Sequence, residues 1–349
     1  MSAEHKDKTA FLGNFVREAE RICIVVHSHP DGDALGSGTA LCRYLREVEG
    51  KECRLITPDS RPASLDFVCE GLDVLDASLS PDAAVSVIAE SDLIFCLDMN
   101  VFSRAGKLED ALEASRSCKV LIDHHPNPDA SRFDLVFSET EVSSASELLY
   151  RILLDLNGTD TAAFLPAACL ESLLTGMTTD TNNFANSVYP STLAMASDLL
   201  ACGVDRDAIL LNIYNRYAEN RIRAMGYLLY EKLRITPEGA AYMVLTAADI
   251  ERFSLSEGDT EGFVNIPLAV ESVRLSLLLK EDSGGFFRVS VRSKKGTSAF
   301  SLARDFFHGG GHECASGGRL YVPGDIPCAA DAESYIESAT ARFLQKRNG

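Results

Sequence analysis

No run of 18 or more apolar residues occurs in the 349-residue chain, so the sequence holds no pattern for a membrane-spanning helix. Its opening, MSAEHKDKTA, is polar and lacks the apolar core of a secretion signal, and the expected compartment is the cytoplasm. None of the ten cysteines stands in a C-x-x-C pair. That disfavours a structural zinc site, and the thiols are expected to be reduced, with Cys23 and Cys96 acting as small core residues inside strand patterns. Internal repeats and low-complexity segments are missing too. Positive charge is scarce: 33 Lys and Arg against 51 Asp and Glu give a formal charge of −18. Such a field repels long nucleic acid on average. It leaves room for a short phosphate substrate in a local pocket, because carboxylates that bind divalent cations are less acidic when loaded.

What is present is an ordinary globular composition, 46% hydrophobic and 24% charged, at a length that suits two domains. The first half alternates between strand and helix. KTAFLGNFVREAE reads as a helix and ICIVVH as a strand. A helix over about 34–47 follows, then the strands ECRLIT and LDVLD, the helix PDAAVSVIAE with proline at its start, and the strand DLIFCLDM. GKLEDALEAS (helix) and CKVLIDHH (strand) complete the pattern. Short continuous runs rich in Val, Ile and Leu suit parallel strands covered on both faces. From Ser143 the pattern is helical to about Leu233. Then AAYMVLT, VRLSLLLKE and FFRVSVRSK read as strands, followed by the helix SAFSLARDFF, the glycine-rich HGGGHECASGG and a last helix over about 331–346. The expected fold is α/β. An N-terminal, mostly parallel sheet with helices on both faces (1–190) is joined by a helical linker (191–234) to a smaller α/β domain (235–349).

Functional groups collect at the C-terminal ends of strands in open α/β sheets. Here ICIVV ends in His27, Asp31 and Asp33, LIFCL ends in Asp98, and KVLI ends in Asp123, His124 and His125; the helical LLTG runs into Asp180. A single Asp after a strand is usually a turn or cap residue. Three strands with acids and imidazoles at one edge are hard to explain by capping, and a carboxylate cluster repels itself unless cations fill it. Oxygen and imidazole donors together suit Mn²⁺, Mg²⁺, Fe²⁺ or Zn²⁺, and a shared carboxylate can bridge two ions. Gly32 is expected to let the chain turn so that Asp31 and Asp33 face different ions.

HSHPDGDALGS, the Asp of LDMN, DHH and TTDTNNF resemble, in order, the four motifs of the DHH phosphoesterase superfamily. GGGHECASGG resembles the glycine-rich signature of the DHH-associated C-terminal domain. Together these cover nearly the whole chain, and the two-domain layout is similar to the NrnA-type subfamily of bifunctional oligoribonucleases and 3′-phosphoadenosine-5′-phosphate phosphatases. The resemblance implies two divalent cations, Mn²⁺ with Mg²⁺ as the alternative. His27, Asp31 and Asp98 would hold one, and Asp33, Asp98, His124 and Asp180 the other. It implies His125 facing the substrate phosphate, Asp123 orienting the DHH pair, and Arg292, Ser293, Gly309, Gly310, Gly311 and His312 binding substrate. Short single-stranded RNA or nucleotide phosphates are the implied partners, and a homodimer is compatible with the family.

Other residues read more plainly. His29 is outside the ligand positions, Asp129 is a turn residue, Lys294 and Lys295 solvate a turn, and Arg104 suits a solvated loop as well as a place near substrate. Asn182 and Asn183 depart from the glycine or small residues of many relatives, beside the second metal position. From Ser283 to Leu320, six cations (Arg288, Arg292, Lys294, Lys295, Arg304, Arg319) face two acids (Asp305, Glu313). That excess implies a cationic wall opposite the metals. The alternative substrates within the superfamily are cyclic di-AMP or the linear dinucleotide pApA. A phosphate sensor that has lost catalysis would lack a metal ligand, and every ligand position is filled.

Overall fold

The computed structural model describes residues 3–214, 217–256, 258–311 and 313–345. It divides into two compact units, Met1–Arg216 and Tyr217–Gly349. No helix among the described residues is long and apolar enough to cross a membrane.

The first unit is built on six strands: β1 (Arg21–Val26), β2 (Glu52–Thr57), β3 (Val74–Asp76), β4 (Leu93–Leu97), β5 (Cys118–Asp123) and β6 (Leu135–Ser138). All pair in parallel, in the order β3-β2-β1-β4-β5-β6. The helices are α1 (Ala3–Glu18), α2 (Gly32–Glu47), α3 (Pro81–Glu90), α4 (Glu109–Ala114), α5 (Ala145–Asn157), α6 (Ala167–Asp180), α7 (Pro190–Ala201) and α8 (Arg206–Tyr214). The central strands read as unbroken apolar runs because both faces are covered. Ile22, Ile24 and Val26 of β1 join a core with residues of α1, α2, α5 and α6. Cys23 and Val25 point the other way, against Ala84 and Ile88 of α3 and Leu112 of α4. Burial pushes the Cys23 thiol up to about 12, so it stays protonated and inert. The strand β6 falls in a stretch without a predicted element. It is a four-residue edge strand with only alternate side chains buried, too weak a pattern to stand out.

Winding direction reverses between β1 and β4, which are neighbours in the sheet but not in sequence. Such a switch point opens a crevice at the carboxyl ends of the two strands. Glycines bring a helical pair onto that edge. A Cβ on Gly36 would come within 2.7 Å of the Ser172 carbonyl oxygen and 2.8 Å of the Gly176 backbone. Only with both positions bare do α2 and α6 approach closely enough to carry Asp33 and Asp180 to one place.

The second unit contains α9 (Glu219–Tyr227), β7 (Arg234–Ile235), β8 (Ala240–Leu245), α10 (Ala247–Arg252), β9 (Leu275–Asp282), β10 (Phe286–Ser293), α11 (Ala299–Phe306), β11 (Gly310–Gly311), β12 (Ala315–Tyr321) and α12 (Ala332–Gln345). Its sheet is mixed, in the order β11-β12-β10-β9-β8-β7, and only β8 and β9 run parallel. One face packs on α11 and α12 through Phe287, Val289, Val291 and Leu320. Part of the other is covered by Leu228, Phe263 and Val264. The glycine-rich HGGGHECASGG carries no predicted strand, and Ala315–Tyr321 overlaps its end, where paired glycines lower strand propensity. Ala315–Tyr321 is a full strand along β10. In the stretch read as a linker, Met195, Leu199 and Ile209 pack into the first unit's core, whereas Met225 and Leu228 pack into the second's.

Candidate metal centre

β1 ends at Val26, and His27 follows at once. Its Nδ1 lies 2.8 Å from the Ser28 carbonyl oxygen, a contact that requires Nδ1 to carry the proton and donate it. The lone pair on Nε2 is thereby turned toward two carboxylates, 3.6 Å from Asp31 Oδ1 and 3.3 Å from Asp98 Oδ2. Asp31 is the N-cap of α2 and accepts from the amides of Asp33 and Ala34. Asp33, one residue into the helix, turns to the other side. Gly32 between them is helical and makes no special turn. A Cβ there would stand 2.3–2.6 Å from the Thr179 side chain, so close packing against α6 is what requires glycine. The sequence expectation of a glycine turn is corrected accordingly.

Asp98 follows β4 with a left-handed backbone, φ 55°, uncommon for a residue with a side chain. That conformation spreads its carboxylate across the crevice. Oδ2 faces His27 at 3.3 Å, and Oδ1 lies 3.4 Å from His124 Nε2. His124 Nε2 is also 3.5 Å from Asp180 Oδ2 and 3.9 Å from Asp33 Oδ2. Three groups of donor atoms result: His27, Asp31 and Asp98; Asp33, His124 and Asp180; and Asp98, His124 and His125.

Burial alone would discharge these groups; hydrogen bonds and charge oppose it at His27, Asp98 and His124 and neighbouring carboxylates reinforce it at Asp33 and Asp180. His27 is held well above its ordinary value by Asp31 and Asp98, and Asp98 well below its own by His124 and His27. Despite desolvation, Asp98 and the other carboxylates lift His124 to about 10. Desolvation and the Asp98 charge push Asp33 up to about 7, and desolvation and the Asp33 charge push Asp180 well above the usual carboxylate range. His27 Nε2 and Asp98 Oδ1 are buried without a hydrogen-bond partner. Crowded acids, imidazole nitrogens aimed at them and orphaned buried atoms fit divalent cations, and the donor set is oxygen and nitrogen only.

His125 is placed differently. Its Nδ1 lies 2.8 Å from Asp123 Oδ1, and its Nε2 lies 2.8 Å from Arg104 Nη1. Arginine only donates, so Nε2 accepts and the ring proton sits on Nδ1, toward the fully buried Asp123. Arg104 is therefore part of the site's wall, and the solvated-loop reading does not hold. Two partners of Asp33 have no motif of their own: the amides of Ala145 and Ser146, at the start of α5, donate to it at 2.6 and 2.9 Å. The available signal was the S-x-x-E start of that helix, where Ser144 accepts from the Glu147 amide.

His29 stays outside the cluster, with its side chain 80% exposed beside Asp59. Asp129 lies in a short turn beside Arg132. Asn182 and Asn183 both adopt positive φ, 46° and 56°. Asparagine tolerates that conformation best after glycine.

In the second unit, Arg292 donates to the carbonyls of Val291 and Ser316. Ser293 is buried, its hydroxyl donating to the Thr297 carbonyl at 2.6 Å. Lys294 caps the carbonyls of Val270 and Glu271. A Cβ on Gly309 would stand 1.9 Å from the Gly317 carbonyl oxygen, and one on Gly311, whose φ is 135°, 2.8 Å from that of Ala315. His312 lies outside the described residues.

Residues 21–177 match the model of the DHH family, N-terminal domain, and residues 239–337 that of the DHHA1 domain. The chain is similar to the probable bifunctional oligoribonuclease and PAP phosphatase NrnA of Streptococcus mutans, 28% identical over 85% of this chain and 89% of that one. It is 29% identical to the bifunctional oligoribonuclease and PAP phosphatase NrnA of Thermus thermophilus, over 86% of this chain and 84% of that one. The crystal structure of an exopolyphosphatase-related protein from Bacteroides fragilis superposes with a TM-score of 0.91 at 33% identity, covering 98% of both chains.

Proposed function

The chain belongs to the DHH family, with a DHHA1 domain in its second unit, and from that premise we propose that it is a two-metal phosphoesterase of the NrnA type. Its substrates on this reading are short oligoribonucleotides, cut to nucleoside 5′-monophosphates, and 3′-phosphoadenosine-5′-phosphate, cut to AMP. The observation that carries the metal chemistry is Asp98, whose two oxygens face His27 and His124 separately. Similarity along most of both chains to the two NrnA proteins supports the choice of substrates.

His27, Asp31 and Asp98 would hold one divalent cation. Asp33, Asp98, His124 and Asp180 would hold the second, with Mn²⁺ as the metal and Mg²⁺ as the alternative. When bound, the ions would supply Lewis acidity toward phosphoryl oxygens and make an attacking water more acidic. The protein's own groups do the positioning. Asp123 holds His125 in one tautomer, and Arg104 fixes the other side of the ring. Arg104, held in place by His125, then meets the negative charge on the phosphate undergoing attack. The Ala145 and Ser146 amides keep Asp33 oriented without adding charge. In the second unit, Arg292 and the Gly309–Gly311 segment would take a phosphate, and Ser293 would hold the loop between them. Gly310 supports this role. A Cβ there would meet nothing nearer than the Phe300 ring at 3.8 Å, so packing gives no reason for its bareness.

The test is product analysis with Mn²⁺ on a pentaribonucleotide, pApA, cyclic di-AMP and the adenosine bisphosphate side by side. Monophosphates from the pentamer and AMP from the bisphosphate are expected. Cleavage of the cyclic dinucleotide alone would overturn the substrate assignment and leave a dinucleotide phosphodiesterase.

A further inference from the structure

Two thiols from different elements meet where α2 crosses β2. Cys42 of α2 and Cys53, the second residue of β2, have their Sγ atoms 3.1 Å apart. Cys53 Sγ is also 3.4 Å from the Cys42 carbonyl oxygen, so its S–H is aimed at Cys42. The fold dictates this meeting. Cys53 is in register with Ile22 of β1, and both face the core that contains Cys42. From Gly38 to Cys42 along the helix, the neighbour on β2 steps back from Leu55 to Cys53, so α2 runs against the strand and ends over its start. All ten cysteines are free, and among the described residues no other two are hydrogen-bonded to each other. Cys42 is 2% exposed and Cys53 is half-buried, so solvent reaches the pair through Cys53.

The pair is unlike the other buried thiols in its chemistry. Cys23 and Cys169 are pushed up to about 12 by burial. Cys42 is held below its ordinary value by the Cys53 S–H, with help from the charges of Arg46 and Arg43, and the same contact lifts Cys53. One sulfur is thus prepared as the nucleophile, and the other waits beside it with a proton. The helix between this pair and the metal centre has no slack. A Cβ on Gly38 would stand 2.9 Å from Leu55 Cδ1 and 3.2 Å from Val26 Cγ1, and one on Gly36 2.7 Å from the Ser172 carbonyl oxygen. Asp33 lies nine residues before Cys42 on the same helix, roughly 13 Å along its axis. Closing two sulfurs to the ~2.0 Å of a disulfide takes about 1 Å. Rotation of the two side chains supplies that movement, since the helix is already seated on the sheet.

We propose that Cys42 and Cys53 are an oxidative modification site, a dithiol that hydrogen peroxide converts to a disulfide stapling α2 to β2. The Cys42 thiolate forms an S–O bond with the peroxide as the O–O bond breaks and hydroxide leaves. That hydroxide takes the Cys53 proton and becomes water. The Cys53 thiolate then attacks the Cys42 sulfur; the S–S bond forms, the S–O bond breaks, and the second hydroxide takes back from solvent the proton that Cys42 had released. Two thiols are oxidised, and one peroxide is reduced to two waters. Because the resolving sulfur is already in contact, the Cys42 sulfenic acid is trapped before a second peroxide can carry it to the irreversible sulfinic state. The staple closes the short segment 43–52 and restricts the unfolded chain, which stabilises the helix that carries Asp31 at its N-cap and Asp33 in its first turn. It leaves the metal end of that helix where it is.

The full chain, freed of reductant, is treated with a low molar excess of hydrogen peroxide. Titratable thiols are then counted after denaturation, and peptides are mapped by mass spectrometry. The count is expected to fall by two from the ten of the reduced chain, with the peptides of Cys42 and Cys53 joined and about 2 Da lighter together for the two hydrogens lost. Dithiothreitol is expected to restore both thiols. The thermal midpoint is expected to rise by roughly 5–10 °C on oxidation, and Cys53→Ser is expected to show no such rise. Added Mn²⁺ is expected to raise the midpoint by the same further amount in the reduced and oxidised chains. A count that stays at ten, oxygen added to Cys42 without a bridge, or a bridge mapped to any other pair would overturn the site. These readings come from the unaltered chain and stand whether or not the variant folds. A bridge that forms without raising the midpoint, or that shrinks the Mn²⁺ increment, would overturn the staple.

Discussion

Asp123 and His125 are joined twice across two residues. One carboxylate oxygen accepts from the ring Nδ1 at 2.8 Å, and the other accepts from the His125 backbone amide at 3.0 Å. Asp123→Asn cannot reproduce both bonds. Its amide group would face either the backbone N–H or the ring N–H, a donor against a donor. Reversing the ring tautomer to escape that clash would aim Nε2–H at Arg104, which also only donates. Loss of such an orienting partner costs about 10- to 100-fold in activity. The expected result is a fall of that size in kcat with two Mn²⁺ still bound by calorimetry; an unchanged kcat would remove Asp123 from the site.

Asp98 is the ligand common to both proposed ions. Asp98→Ala is expected to abolish turnover of a generic phosphodiester with Mn²⁺ and to weaken both metal-binding steps. Asp98→Asn keeps the left-handed backbone that asparagine tolerates, so it tests the charge without disturbing the loop. Turnover retained by either variant would sink the two-metal assignment.

How much of this was legible follows from the kind of signal each residue leaves. His27, Asp31, Asp98 and the DHH run stand directly after apolar strands, and strand ends converge in an open parallel sheet, so local pattern sufficed. Asp33 was legible as a member of the donor cluster, but its support was not. The Ala145 and Ser146 amides are backbone groups 112 and 113 residues away; the S-x-x-E pattern marks the helix start they belong to but not its contact with Asp33. Arg104 had no visible partner until the Phe102–Leu108 turn brought it against His125. The strand β12 was hidden by its own glycines, whose reason lies in what they border rather than in strand propensity. The reason for Gly32 is not local: its neighbour across space, Thr179, is 147 positions along the chain.

Proton linkage gives a signed prediction. In the metal-free protein His124 is raised from 6.5 to about 10 and Asp33 from 3.8 to about 7. Between the ordinary and the raised values the folded chain holds more protons than the unfolded one, so stability falls as pH rises through those windows. Metal ligation needs neutral imidazole and ionised carboxylate, so loading expels these protons and strengthens with pH. Thermal midpoints of the chelated protein are expected to fall from about pH 6 to about pH 9, while the extra stability conferred by Mn²⁺ grows. A gap that narrows with pH would contradict the protonation states assigned to His124 and Asp33.

Gly176 ties helix packing to the same carboxylate. A Cβ at this position would stand 2.0 Å from Ser146 Oγ and 2.9 Å from Asp33 Oδ1, both of them buried. Gly176→Ala therefore has two routes of relief. If α6 withdraws from α2, Asp180 leaves His124. If the start of α5 withdraws, Asp33 loses the two amides that orient it. Either way the Asp33, His124 and Asp180 group loosens, while His27 and Asp98, which follow β1 and β4, and Asp31, the N-cap of α2, are left in place. Overpacking of this kind costs about 1–3 kcal/mol. Gly310→Ala, with open space around its Cβ, is expected to change stability by no more than about 0.5 kcal/mol. Calorimetric titration of Gly176→Ala with Mn²⁺ is expected to show one site near its original affinity and one weakened. Equal weakening of both sites would mean that the two ions share more of their support than Asp98 alone.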